Sequence, residues 1–317
     1  ESAYTATAPP HGAGGGSGSG SAGPPTEADI EVRVEVAGAA GAADIRTVLV
    51  ATKAPATVDA LESIAPRLAP EAVVVLLSNG ALALSEHVRA SSVLTGAHIV
   101  LGSTTHGAWE RGDFDVVHAG YGRTWLGRAP GSTLGDARYG EVLSELGVAG
   151  LGAEDAGQHI LRHLWLKLAA NAVINPLTAL WECTNGEVLQ RDEGCSTLVS
   201  ICEEISGLSR AWAEAQYCVA SSSVFSPSSS SPALAEQAVL PSSQELQEFV
   251  RSVATETANN TSSMLQDMSA RRPTEIDFLN GWIASRGGDL NVLVAANTEL
   301  AARVREKQRS VQEDRAS

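Results

Sequence analysis

Residues 47–77 read TVLVATKAPATVDALESIAPRLAPEAVVVLL, and this stretch contains two continuous apolar runs separated by a helical pattern. The runs are Thr47–Ala51 and Val73–Leu77. Between them, residues 57–68 form a helical pattern whose apolar face consists of Val58, Leu61, Ile64, Ala65 and Leu68. Strands that are apolar at every position are typical of parallel sheets covered by helices on both faces. The stretch therefore predicts an α/β fold with a parallel sheet.

Other patterns extend this prediction in both directions. Upstream, residues 30–36 alternate apolar and polar side chains, which is the period of a half-buried strand. Downstream, His98–Leu101 and Val116–Val117 continue the sheet less clearly. After about Gly152 a helical period dominates, and the predicted helices cover residues 157–181, 196–215, 243–270, 275–286 and 297–309.

The chain is thus predicted to have three parts. Residues 1–27 are rich in glycine, serine and proline and are predicted to be disordered, because they cannot bury enough apolar surface to offset the entropy of ordering. Residues 28–152 form the sheet domain, and residues 153–317 form an all-helical domain. A serine-rich stretch at about 219–243 is interpreted as a looped-out insertion in the helical domain.

One apparent nucleotide-binding motif lies in the first part. Gly18-Ser-Gly-Ser-Ala-Gly23 satisfies G-x-G-x-x-G, which cradles a pyrophosphate when it joins a buried strand to the start of a helix. No strand-like pattern precedes it, and Pro24-Pro25 follows. We therefore interpret this match as low complexity.

Composition narrows the classes of function. The formal net charge of -15 disfavours a nucleic acid as partner and fits a small molecule or a protein. No apolar run is long enough to span a membrane, which predicts a soluble protein. Four cysteines (Cys183, Cys195, Cys202 and Cys218) lack zinc-site spacing, so we expect no metal and reduced thiols. The first residues lack the features of a secretory signal, so we expect a cytoplasmic protein, with targeting to an organelle left open.

Polar residues mark two places where chemistry is expected. Parallel sheets bind ligands at the carboxyl ends of their strands, and Lys53 and Asn79 lie at such ends. A lysine that closes a strand is usually only solvated and Asn79-Gly80 is usually only a turn, so these positions taken alone favour a structural role for both. In the helix predicted from Gly157 to Trp181, Lys167, Asn171 and Asn175 are spaced by four residues and form one polar stripe. Asparagine is a mediocre helix former, so the stripe is either a solvated face or a site for carboxylate and hydroxyl groups. Spacing alone leaves both interpretations open.

Longer motifs add a family resemblance. Residues 164–187 (LWLKLAANAVINPLTALWECTNGE) and 263–277 (SMLQDMSARRPTEID), followed by Asn280-Gly281, resemble the two main motifs of the ketopantoate reductases, the 2-dehydropantoate 2-reductases. Residues 48–54, 77–80 and 102–106 match in the same order, so the resemblance runs from about Ile45 to the C-terminus. It implies a Rossmann-type domain followed by a helical domain like the C-terminal domain of 6-phosphogluconate dehydrogenase, with the site between them.

The resemblance also implies roles for individual residues. Lys167 would be the general acid that protonates the substrate carbonyl oxygen as hydride arrives at its carbon. Substrate carboxylate and hydroxyl groups would be held by Asn79, Asn171, Asn175, Asn185 and Ser263. Asn79 would also touch the nicotinamide, and Lys53, Ala108 and Glu275 would lie on the cofactor side. The implied reaction is reduction of ketopantoate to (R)-pantoate with NADPH, a step towards pantothenate and coenzyme A, in a protein that could be a homodimer.

The sequence departs from the family pattern in two places. The strand, G-x-G-x-x-G turn and helix that open the family are not recognisable before Ile30, so we expect an N-terminally truncated Rossmann-type sheet and weak binding of NADPH. The serine-rich segment is extra. Three hypotheses remain: a ketopantoate reductase, a reductase of another small 2-oxo acid, and a non-catalytic remnant that binds a metabolite or a protein. The preference for NADP over NAD stays open.

Overall fold

The computed structural model describes residues 44–112, 115–148, 152–221 and 240–313. Three predictions lie outside these ranges: the disordered residues 1–27 with their glycine motif, the strand at residues 30–36, and most of the serine-rich segment.

Among the described residues, the main sheet contains five strands. Their bounds are β1 Ile45–Val50, β2 Leu68–Leu76, β3 His98–Thr104, β6 Thr124–Arg128 and β7 Ala153–Asp155. β1, β2 and β3 are parallel, with Val50 paired to Leu76 and Leu76 paired to Leu101. β6 runs antiparallel to β3, and β7 pairs with β6, so the sheet extends three residues beyond the predicted domain boundary at 152. The predicted Rossmann-type, mainly parallel sheet is confirmed.

Helices connect the parallel strands and cover the sheet. α1 (Ala54–Ile64) and a 3-10 turn at Ala65–Arg67 join β1 to β2, and α2 (Ala81–Ala90) lies between β2 and β3. α3 (Asp136–Val148) packs on the other face, where residues of the sheet and of α3 form a second, smaller core. Because β1 to β3 all point the same way, their carboxyl ends meet at one edge of the sheet.

One predicted strand belongs elsewhere. Val116–Val117 was expected to continue the main sheet, but it lies in β5 (Asp115–Gly120), which pairs only with β4 (Gly107–Gly112) in a separate antiparallel hairpin. That prediction was wrong. Two valines indicate a strand, but their sequence carries no information about which strand they pair with.

The second half of the described chain is helical. A 3-10 turn at Gly157–His159 leads into α4 (Ile160–Trp181), and another at Gly186–Gln190 leads into α5 (Asp192–Ser221). Then come α6 (Ser243–Glu256), α7 (Ser263–Ser269), a 3-10 turn at Ile276–Phe278, α8 (Asn280–Asp289) and α9 (Ala295–Glu313). α4 is buried along most of its length and lies against both the sheet and the other helices. No helix among the described residues is long and apolar enough to cross a membrane.

Two helical predictions need correction. Residues 243–270 were predicted as one helix but form α6 and α7, because Thr257 to Ser262 contain hydroxyl and asparagine side chains that favour caps over helix interiors. Ser262 caps α7 by accepting a hydrogen bond from the Leu265 amide at 3.1 Å. Similarly, the helix predicted over 275–286 is a 3-10 turn followed by α8.

Candidate active site

The candidate active site lies where the carboxyl ends of three parallel strands meet helix α4. Lys53 follows β1 and occupies the N-cap position of α1, and Asn79 with Gly80 follows β2 and precedes α2. Thr104 is the last residue of β3. The sequence prediction that Lys53 and Asn79 share one edge is therefore confirmed by the parallel register of β1 and β2.

Gly80 lets the loop after β2 approach the helical domain. Its φ of +71° is in the left-handed region, which residues with a Cβ rarely adopt. A Cβ there would lie 2.8 Å from the carbonyl oxygen of Phe278. Only glycine allows this close approach, which brings the segment around Glu275 and Phe278 against the start of α2.

Across this contact, Glu275 accepts hydrogen bonds from residues that follow β1 and β2. Its side chain is 4% exposed, and Oε1 accepts a hydrogen bond from the Ala54 backbone amide at 3.0 Å. That amide is one of the N–H groups at the start of α1 that have no partner within the helix. Oε2 accepts from the Asn79 side-chain amide at 3.0 Å, and Asn79 Oδ1 accepts from Asn171 Nδ2 at 3.4 Å. The structure thus brings Asn79, Asn171 and Glu275 into one chain of hydrogen bonds.

Lys167 lies one turn before Asn171 on α4. Its ammonium donates a hydrogen bond to the backbone carbonyl oxygen of Thr104 at 3.0 Å. Burial lowers the pKa of Lys167 from 10.5 to about 8, and the nearby carboxylate of Glu275 opposes this by raising it. A lysine with a pKa of about 8 is mostly protonated at neutral pH and gives up its proton more readily than an exposed lysine. It therefore suits proton transfer.

Asn79, Lys167 and Asn171 line an open cleft, whereas Lys53, Thr104 and Glu275 are not among its lining residues. Its polar wall includes Ser78, Asn79, Lys167 and Asn171. Its apolar wall is formed by Leu82, Leu164, Leu168, Phe278 and Trp282. A small molecule with one polar and one apolar side fits such a lining.

Comparison with known proteins shows similarity along most of the chain. Residues 159–308 match the family described as ketopantoate reductase PanE/ApbA C terminal, and residues 19–131 match the family ketopantoate reductase PanE/ApbA. A 2-dehydropantoate 2-reductase of Shigella flexneri is 31% identical over 264 residues, which cover 82% of this chain and 74% of that protein. The chain belongs to the ketopantoate reductase family. The N-terminal match begins at residue 19, well before Ile45, where the resemblance was expected to begin.

Other members and solved structures agree with this assignment. A 2-dehydropantoate 2-reductase of Halobacterium salinarum is 32% identical over 270 residues, covering 84% of this chain and 77% of that protein. Among solved structures, a PanE/ApbA family ketopantoate reductase from Ralstonia eutropha JMP134 has a TM-score of 0.64 at 23% identity, covering 84% of this chain and 77% of that one. D-mandelate dehydrogenase with NADH and anilino(oxo)acetate has a TM-score of 0.65 at 21% identity, covering 84% and 78%. At these identities the structures show the shared fold.

Lys53 of this ketopantoate reductase family member is held by a buried carboxylate. Its Nζ lies 2.7 Å from Oδ2 of Asp267, whose side chain is 2% exposed, and Arg272 Nε donates to Oδ1 of the same residue at 3.0 Å. Asp267 lies in α7 among polar residues whose pattern is typical of a helix surface, but the structure buries its side chain. The carboxylate is buried because two cations, one from the sheet domain, cover it. Lys53 and Arg272 themselves remain about half exposed.

The remaining predicted residues lie outside the cleft lining. Asn175 is buried in α4, and Ser263 is the first residue of α7. Asn185 is buried just after α4 and donates to Thr257 Oγ1 at 2.9 Å, while its Oδ1 has no hydrogen-bond partner among the described residues. Ala108 is exposed on the β4–β5 hairpin. Their predicted roles remain predictions.

Several residues of the site were not identified from the sequence. The Thr104 carbonyl is a backbone group, so no side-chain pattern could identify it, although the end of a predicted strand marks its place. Phe278 and Trp282 form part of the apolar wall, but an aromatic residue in a helical segment is usually assigned to the core. Arg272 was quoted within a motif without a role.

Proposed function

We propose that this chain reduces ketopantoate (2-dehydropantoate) to (R)-pantoate with NADPH, a step in the biosynthesis of pantothenate and coenzyme A. The observation that carries the proposal is Lys167, which is partly buried on α4, donates a hydrogen bond to the last residue of β3 and has its pKa lowered to about 8. Membership of the ketopantoate reductase family and the named relatives support the same reaction.

The residues present fit the nicotinamide end of such a cofactor. Asn79 supplies an amide at the strand edge, Glu275 supplies carboxylate oxygens beside it, and the half-exposed ammonium of Lys53 supplies a positive charge. An amide suits a carboxamide group, a carboxylate suits ribose hydroxyls, and a cation suits phosphate. When bound, the cofactor supplies the hydride. Ala108 on the β4–β5 hairpin would also contribute on the cofactor side.

Lys167 would supply the proton that completes the reduction. As the carbonyl carbon of the 2-oxo acid gains the hydride, its oxygen becomes an alkoxide, and the ammonium of Lys167 stabilises that charge and donates a proton to it. The products are a hydroxyl group and a neutral lysine, which regains a proton from water. The lowered pKa helps this transfer, while the carboxylate of Glu275 keeps the lysine protonated at neutral pH.

The substrate would be held by asparagine and serine side chains of the helical domain. We assign Asn171, Asn175, Asn185 and Ser263 to its carboxylate and hydroxyl groups, with Asn79 touching both substrate and nicotinamide. Amide and hydroxyl groups bind both charged and neutral oxygens, so they suit a hydroxylated 2-oxo acid. The only partner the chemistry needs is this small molecule. Cytoplasmic localisation and a homodimer are part of the proposal, and size-exclusion chromatography would decide the oligomeric state.

The test is NADPH oxidation, measured by absorbance, with ketopantoate as substrate. We expect turnover by the wild-type chain and none by Lys167→Ala, because the variant lacks the proton donor. Lys307→Ala is the matched control, since Lys307 also donates to a backbone carbonyl, that of Leu180 at 3.1 Å, away from the cleft. Undiminished turnover in Lys167→Ala would contradict the mechanism, and circular dichroism would confirm that the variant is folded.

Comparing kcat/KM among several 2-oxo acids and both nicotinamide cofactors separates this proposal from its alternatives. Ketopantoate should give a higher kcat/KM than phenylglyoxylate or pyruvate, and NADPH a higher kcat/KM than NADH. Preference for another 2-oxo acid would favour a related reductase. Absence of turnover with every oxo acid and both cofactors would favour a non-catalytic protein.

A further inference from the structure

Helix α4 contains a proline in the turn that carries the polar stripe. Pro176 has no backbone N–H, so the carbonyl oxygen four residues earlier, that of Ala172, loses its normal partner within the helix. Ala172 is completely buried, so water cannot replace the missing donor. A buried carbonyl without a partner is destabilising, and α4 nevertheless continues to Trp181.

Asn280 supplies the missing donor from another helix. It is the first residue of α8, its side chain is 0% exposed, and its Nδ2 donates a hydrogen bond to the Ala172 carbonyl at 3.0 Å. The same Nδ2 also donates to Asn297 Oδ1 at 3.0 Å. Both N–H groups of the Asn280 amide are therefore used.

The orientation of the Asn280 amide is set by a carboxylate further along the chain of hydrogen bonds. Asn297 at the start of α9 donates its own Nδ2 to Glu204 Oε2 at 2.8 Å, and the Ala296 and Asn297 backbone amides donate to the same carboxylate. A carboxylate can only accept hydrogen bonds, so Asn297 must point its Nδ2 at Glu204. Its Oδ1 therefore faces Asn280. Asn280 must then turn its Nδ2 towards Asn297 and Ala172. The Glu204 carboxylate on α5 thereby orients the Asn280 amide that donates to α4, and it does so through the buried side-chain amide of Asn297.

The turn fixed in this way is the one that carries the predicted substrate ligands. Ala172 follows Asn171 and precedes Asn175 by three residues, so its carbonyl lies in the turn between them. We propose that Asn280 is a positioning residue, which holds this turn of α4 so that Asn171 and Asn175 face the substrate. This inference rests on the function proposed above. Lys167 lies before the turn, and its ammonium donates to the Thr104 carbonyl, not to Asn280.

Steady-state kinetics of Asn280→Ala test the proposal. We expect KM for the 2-oxo acid to rise about tenfold, with kcat and the alkaline limb of its pH profile unchanged, because substrate contacts weaken while the proton donor stays in place. A merely destabilised protein would lose active molecules, which lowers kcat at constant KM. Ile201→Val, which removes one buried methyl group from α5, is the control for such a loss.

The decisive comparison is a second substitution that restores the donor lost in Asn280→Ala. Pro176→Ala restores a backbone N–H four residues after Ala172, so the double variant Asn280→Ala/Pro176→Ala should recover KM to within about threefold of wild type. A double variant that is as impaired as Asn280→Ala would overturn the proposal. If Asn280→Ala alone does not fold, a folded double variant with near-normal KM supports the proposal, and an unfolded or impaired one overturns it.

Hydrogen exchange separates this inference from the proposed function. In Asn280→Ala, amide exchange should accelerate within residues 171–177 and revert in the double variant, whereas uniform acceleration across all helices would contradict a local role. If the wild-type chain reduces no 2-oxo acid, the proposed function fails, and the exchange pattern alone then decides whether Asn280 holds this turn.

Discussion

Replacing Lys167 by methionine should change how the stability of the protein depends on pH. In the folded protein, burial lowers the pKa of Lys167 from 10.5 to about 8. In the unfolded chain the same lysine has an ordinary pKa of about 10.4. Between these two values the unfolded state binds a proton that the folded state does not, so the free energy of unfolding of the wild type rises with pH in this window. The methionine variant lacks this contribution.

The size of the effect follows from the gap between the two pKa values. The gap is about 2.5 pH units, and each unit corresponds to about 1.4 kcal/mol, so the contribution is at most about 3 kcal/mol. Below pH 8 the ammonium is charged in both states, and the difference in stability between wild type and Lys167→Met should be constant. As pH rises from 8 to about 10.5, the wild type should gain up to about 3 kcal/mol relative to the variant.

Urea denaturation followed by tryptophan fluorescence, at intervals from pH 7 to pH 10.5, measures this difference. Cysteine and tyrosine titrations occur in both proteins and cancel in the comparison. Lys307→Met is the matched control, because it removes another lysine that donates to a backbone carbonyl. Stability curves of wild type and Lys167→Met that run parallel over the whole range would refute the lowered pKa, and with it the reason for choosing Lys167 as proton donor.

Two further predictions concern the same site. The reduction needs protonated Lys167, so kcat/KM should fall about tenfold per pH unit above pH 8, and a rate that is constant up to pH 10 would contradict this. Glu275→Gln should lower the free energy of unfolding by about 1–3 kcal/mol, because the Ala54 amide and the Asn79 amide both need an acceptor and glutamine offers only one oxygen. It should also shift the alkaline limb of the rate profile to lower pH by removing a charge that raises the pKa of Lys167, and an unshifted limb would show that the carboxylate does not act on the lysine.

Much of the sheet could be predicted from the sequence because its signals are local. The apolar runs around Val48 and Val74 indicate strands, and β1 and β2 occupy those positions with Val48 paired to Val74. Burial on both faces holds for Val73–Leu76 of β2 but not for β1, where Leu49 is exposed. The positions of Lys53 and Asn79 at one edge follow from parallel pairing alone. The long motifs around Lys167 and Glu275 carried the family assignment, which the comparisons confirm.

Local signals failed where a residue depends on partners that are distant in the sequence. Val116 shows the propensity of a strand residue, but its partner is decided by the hairpin that β4 and β5 form. Asp267 looks like a surface residue until Lys53, more than 200 positions away, covers it. The single helix predicted over residues 243–270 ignored the capping of α7 by Ser262.

The sequence by itself therefore determined the strand and helix segments, the family, and Lys167, Asn171 and Asn175 as a polar stripe with two possible meanings. Only the tertiary structure shows that Lys167 and Asn171 line a cleft instead of a freely solvated helix face, and their roles there remain predictions. It partly buries Lys167 against Thr104, and this desolvation lowers the pKa of the ammonium, while a hydrogen bond joins Asn171 to Asn79. The physical reason is that periodicity reports which side chains share a helix face, whereas burial, desolvation and hydrogen bonding depend on what the rest of the chain packs against that face.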